Sequence, residues 1–289
     1  MSQNKNTGYI EGLKRFALNR PVIFSFFVIL ISGLLTEIPF GRIFVSWTGR
    51  PGDELVTVLI GHTLTGLLLV WLLLKLDLFK YAGFTPVRQW KAVWLVWPFV
   101  IFTLLNLDSL ISGSLVIDTS RPALIIIYIF RNLAIGFCEE VMARSVVLVV
   151  MLQKWGNTRR GVYQAVLVSS VLFGVSHIFN LLAGRSPVLA SLTQMTYSFV
   201  FGVAFSACFL RNNAIWPVMI MHAVVDMAGG LHHIAMGGAS QAPVANSTIT
   251  QVVTTLIISA PLLLYGLFVL RKVAPVEKPG SPEPLFNSM

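Results

Sequence analysis

Arg131, Glu139, Glu140, Arg144 and Asp226, normally charged side chains, fall inside stretches of this 289-residue chain that are otherwise apolar, accompanied by His177 and His222. A charged residue at the centre of a membrane-inserting helix costs about 2.5–3.5 kcal/mol, so the acids and arginines among them must find one another or a ligand. Glu140 and Arg144 stand four apart with the acid first, the favourable order for an ion pair along one helix. Glu139 points about 100° away around that helix, so Arg144 does not neutralise it and it is the free carboxylate. A free buried carboxylate suits the work of a general base. His222 and Asp226 repeat the spacing of four, which lets the acid orient the imidazole or lets both face one ligand. His177 follows Phe173 by the same interval. For any one of these residues, a salt bridge that fixes helix packing explains as much as chemistry does. For the whole set, with histidines on two different runs, a site is the better reading.

Membrane helices must position these groups. With 55% hydrophobic and 11% charged residues and a mean hydropathy of +0.77, the composition lies outside that of soluble domains. Apolar runs long enough to cross ~30 Å of hydrocarbon occur at 21–40, 54–76, 91–107, 122–153, 161–182, 187–210, 214–231 and 249–270. The expected fold is all-α: a polytopic membrane protein of about eight transmembrane helices, with the cluster on the fourth, fifth and seventh. The third run is the weakest of them.

The net charge of +9 does not point to nucleic acid, because the basic residues sit in short loops between apolar runs. With the N-terminus inside, fifteen Lys and Arg fall in inside segments, against Arg42, Arg50, Arg121 and Arg185 outside. That bias puts both termini in the cytoplasm. Residues 1–20 then form a cytoplasmic N-terminal segment, and 21–120 hold the first three spans with an interfacial stretch near 77–91. Residues 121–231 are the core, 232–248 an outer loop, 249–272 the last span and 273–289 a disordered tail. Two cysteines, Cys138 and Cys208, in apolar surroundings supply no disulfide framework.

The motifs resemble those of the CAAX protease and bacteriocin-processing family of membrane peptidases. Its Glu-Glu-x-x-x-Arg motif stands here as Glu139, Glu140 and Arg144, its Phe-x-x-x-His motif as Phe173 and His177, and its His-x-x-x-Asn/Asp motif as His222 and Asp226. The run from Gln194 through Phe201 and Gly202 looks like the helix that precedes the last motif. In the family's proteases the resemblance implies a glutamate peptidase. Glu139 would activate water with help from His177, Glu140 and Arg144 would support the site, and His222 with Asp226 would stabilise the oxyanion. Asp226 stands where the prenyl endopeptidases have asparagine, and an ionised aspartate cannot donate to an oxyanion. The implied substrate is a membrane-associated, lipid-modified or tagged protein or peptide, met in the bilayer. A prokaryotic cell membrane is the expected setting.

Other chemistries fit less well. Zinc held by His177, His222 and Glu139 has proper ligand types but no His-Glu-x-x-His helix, so no cofactor is expected. A serine protease has only Gly184-Arg185-Ser186 to offer, in an outer turn before Pro187. An aspartyl protease needs two intramembrane aspartates, and only Asp226 qualifies. Cys138 reads as packing, as does His62, alone in the second span. His232 and His233, in the outer loop, offer a weak metal contact at most. A transporter would use the same acids as a relay but commonly carries internal repeats, and none is seen here. A scaffold or immunity protein of the same fold is the remaining alternative.

Overall fold

The computed structural model describes residues 2–41, 53–86, 93–236 and 248–275. Its helices are α1 (Ser2–Asn19), α2 (Pro21–Thr36), α3 (Asp53–Lys75), α4 (Pro98–Asn106), α5 (Asp108–Ile111), α6 (Pro122–Glu140), α7 (Val149–Trp155), α8 (Arg159–Ser176), α9 (Ile178–Leu182), α10 (Val188–Asn212), α11 (Trp216–Gly229) and α12 (Ile249–Leu270). A π-helical segment, Val141–Leu148, joins α6 to α7 without a break. Among the described residues the only strand-like feature is an isolated bridge between Ile117 and Ala235.

Local chemistry sets several of these boundaries. Proline near the first position starts α2, α4, α6 and α11, where its missing N–H is no loss. The Thr158 hydroxyl caps α8 by accepting from Gly161 N at 3.0 Å. Asn213, at φ +50°, ends α10 in the left-handed conformation, which asparagine tolerates better than most residues.

Four helices are long and apolar enough to cross a membrane, at 54–75, 159–182, 188–212 and 252–270. A fifth is added if α1 and α2, bent by 112° at Arg20, count as one broken span. Their large apolar side chains face outward, among them Leu64, Leu67, Trp71 and Leu74 on α3 and Ile257, Leu264 and Phe268 on α12, the pattern of an integral membrane protein. The other runs read from the sequence take different forms. The run 91–107 splits, within its described part, into a 3₁₀ turn at Trp94–Val96 and the nine-residue α4. The run 214–231 yields a helix of 14 residues. The run 122–153 is helical throughout but changes type at Val141.

That composite fourth run is the core of the molecule: residues 146–152 are fully buried. α3 and α11 pack on α6, α8 and α12 pack on α10, and the π segment touches α2, α3, α8 and α10. Two glycines set the closeness of the site-bearing helices. A Cβ on Gly136 would lie 2.7 Å from Met219 O on α11, and one on Gly174 would lie 2.6 Å from Met195 O on α10, so neither position admits a side chain.

The stretch expected at the interface near 77–91 is described as far as Pro86. Leu78, Tyr81 and Ala82 are buried, Ser145 Oγ donates to Ala82 O at 2.7 Å, and Thr85 Oγ1 donates to Asn213 O at 2.9 Å. This segment therefore wedges against the π segment and the α10–α11 turn. The expected outer loop is described only to Met236 and from Thr248, and most of the expected disordered tail, from Val276 on, lies outside the described residues.

Candidate active site

Glu139 and Glu140 end α6, where the backbone passes into the π segment that carries Arg144. Arg144 Nη1 lies 3.0 Å from Glu140 Oε1, with side-chain exposures of 1% and 0%. The expected intrahelical pair is thus present and sealed from water. The contact is not aligned as a hydrogen bond, and all three guanidinium nitrogens lack a hydrogen-bonded partner. Two rings hold the cation instead, with Arg144 Cζ 4.6 Å from the centre of Phe173 and 5.5 Å from that of Phe205. A desolvated contact of this kind is worth about 2 kcal/mol. The phenylalanine of the Phe-x-x-x-His motif therefore binds the arginine of the first motif, and its ring also meets His177 and His222 edge-on at 5.2 and 6.2 Å.

His222, on α11, joins the two acids of α6. Its Nδ1–H donates to Glu140 Oε1 at 2.6 Å, and Phe205 stacks on its ring at 5.7 Å. The carboxylate can only accept, which leaves Nε2 facing the site. Nε2 lies 3.6 Å from Glu139 Oε2 and 3.5 Å from Asp226 Oδ2. Three acceptors meeting without a proton would repel one another, so at least one proton is held among Nε2, Glu139 and Asp226. Glu140, across the helix interface, therefore holds one ring nitrogen of the imidazole, while Asp226 approaches the opposite one.

Glu139 differs from its neighbour. Its Oε2 is buried without a hydrogen bond, yet its side chain is 23% exposed and that of Asp226 34%, so both can be reached where Glu140 cannot. His177 caps the end of α8, and its Nδ1–H donates to Phe173 O at 3.1 Å. Its Nε2 accepts from Ser198 Oγ, on α10, at 3.4 Å. Arg131, two turns before Glu139, donates from Nη1 to Asn132 Oδ1 at 3.3 Å and lies within electrostatic reach of Asp226. Among the described residues, no three His, Cys, Asp or Glu side chains are placed to hold a metal ion.

The six residues to which the resemblance gives roles thus come from α6, the π segment, the C-terminal cap of α8 and α11. Glu139, Glu140, Arg144, His222 and Asp226 form one contiguous group, and His177 touches it through Phe173. Sequence reasoning missed Ser198 and Phe205, whose types carry no signal in an apolar helix. It also read His62 as packing. That side chain donates from Nδ1 to Val58 O at 2.9 Å and stands within electrostatic reach of Glu139 from α3; a lone histidine in an apolar span was the available clue.

No curated protein and no solved structure matches the chain. A family model does match, over residues 121–228, a segment that begins at the N-cap of α6 and holds the five residues of the group together with His177. The model that this segment of the integral membrane chain matches is the one described as Type II CAAX prenyl endopeptidase Rce1-like.

Proposed function

We propose that the chain is an intramembrane endopeptidase in which Glu139 activates the hydrolytic water. The observation that carries this reading is the division between two adjacent acids. Glu140 is fully buried and bound to Arg144 and His222, whereas Glu139 presents an unbonded carboxylate oxygen beside the free nitrogen of His222. The family match supports peptide-bond hydrolysis as the reaction class.

In this reading Glu139 takes a proton from water and the hydroxide attacks the scissile carbonyl carbon. The developing oxyanion receives a hydrogen bond from His222 Nε2–H, and from Asp226 when that side chain is protonated. The C–N bond then breaks and the proton passes from Glu139 to the leaving amine. Glu140 and Arg144 position His222. His177, whose ring meets that of Phe173 beside the acid cluster, helps to hold the water. The substrate is a membrane-associated, lipid-modified or tagged protein or peptide. Both termini are cytoplasmic, the spans number about eight when the short helices are counted, and no metal takes part.

The test is a comparison of new protein termini in membranes carrying the wild-type chain or Glu139→Gln, which keeps the shape and removes the base. Termini present only with the wild-type chain, and unchanged by exhaustive chelation, are the expected result. Identical termini in both would overturn the glutamate mechanism, and activity restored only by added zinc would overturn the metal-free one.

A further inference from the structure

Away from the acid cluster, the fold builds a cavity of about 360 Å³, with both charged and apolar side chains in its wall, where α1, the end of α3, the following 3₁₀ turn (Phe79–Tyr81) and the end of α7 meet. Lys14, Asp77, Lys80, Tyr81, Gln153 and Lys154 are among its lining residues. The charges are unequal. Lys14 is engaged by Asp77 at 2.6 Å, while Lys80 and Lys154 form no ion pair among the described residues and are exposed. Gln153 is 8% exposed, and its side-chain N–H₂ group is buried with no hydrogen-bond partner. An unsatisfied buried donor costs about 1–3 kcal/mol, and at the wall of a basic cavity a small turn of the Gln153 side chain would let an anionic acceptor satisfy it.

The setting of the cavity says which anion. α1 is turned 112° from α2 and exposes Tyr9, Leu13 and Phe16, spaced four and three apart along one face. That is the build of a helix lying in the membrane surface with its apolar stripe in the acyl boundary. α1 also supplies Lys14 and Leu18 to the cavity wall, so the cavity sits beside the headgroup layer. Basic pockets between helices at that level take phosphate-bearing headgroups.

We propose that this cavity binds the phosphate of an anionic phospholipid, with the Gln153 amide donating to a phosphate oxygen and Lys80 and Lys154 supplying the countercharge. The experiment uses the full chain, purified in detergent and exchanged into phosphatidylglycerol, phosphatidylcholine or inorganic phosphate, with retained ligand read by native mass spectrometry. Lys80→Gln with Lys154→Gln is compared with Arg159→Gln plus Arg160→Gln, which removes the same charge from exposed positions outside the cavity. One retained phosphatidylglycerol is expected, with little phosphatidylcholine. Its retention should fall roughly tenfold in the cavity variant, since each near-surface lysine contributes several-fold, and should hold in the control. Gln153→Leu should weaken retention without any change of charge. Equal retention of both lipids, or equal loss in the control variant, would overturn the proposal. Displacement of the lipid by inorganic phosphate would overturn it in favour of the free anion.

Discussion

Arg144 is the residue on which the two acids of the site depend. It is fully buried, paired with Glu140 and stacked between Phe173 and Phe205, so removing it strands a carboxylate in the core. Breaking one half of a buried pair typically costs about 3–5 kcal/mol, while replacing both halves with apolar groups costs far less. Arg144→Met and Glu140→Gln should each lower the melting temperature markedly, and the double variant should lose less than the sum of the two, measured by thermal unfolding in detergent. Additive losses would mean that the two side chains do not act as a pair. The Glu140–Arg144 and His222–Asp226 pairs were legible in the sequence because spacing along one helix fixes them. The Glu140–His222 bond was not, because it joins positions 82 apart through packing that no local pattern encodes.

At the scale of the element, the site exists because α6 and α11 approach closely at Gly136. Any side chain there meets the Met219 carbonyl, 2.7 Å from the position of the first carbon. Gly136→Val should therefore push α11 away, lengthen the Glu140–His222 contact and reduce cleavage at least about tenfold, as displacement of a catalytic group by about 1 Å does. Cleavage at the wild-type rate would show that this contact does not set the site. The sequence assigned the cluster to three apolar runs but carried no sign of the form those runs take. Periodicity finds apolar runs, whereas the π segment after Glu140 and the break of the fifth run at His177 depend on backbone hydrogen bonding and on neighbours. π segments of this kind occur frequently at functional sites.

At the scale of the whole molecule, the site helices are tied to the N-terminal half near their far end. Arg185 donates to both oxygens of Glu37, at 2.7 and 2.6 Å, and to Asn180, which in turn donates to Gln194. The ion pair is partly exposed, so its value is about 0–1 kcal/mol. Arg185→Glu should lower the melting temperature slightly, and the charge swap with Glu37→Arg should restore it; failure of the swap to restore it would show that the contact is not used in the membrane. This tie and the lysine cavity under α1 were both invisible in the sequence, since each assembles residues far apart along the chain. The positive charge that appeared there only as a topological bias becomes, in three dimensions, a place for a lipid. The division of labour between the two adjacent glutamates remains the centre of the account, and the direct measurement is cleavage of one identified substrate by Glu139→Gln and Glu140→Gln in the same membranes, with melting temperature measured alongside. Glu139→Gln should lose at least about 10²-fold in rate with its melting temperature unchanged, and Glu140→Gln should lose both rate and stability. Cleavage by Glu139→Gln at the wild-type rate, or loss of cleavage in Glu140→Gln with stability intact, would contradict it.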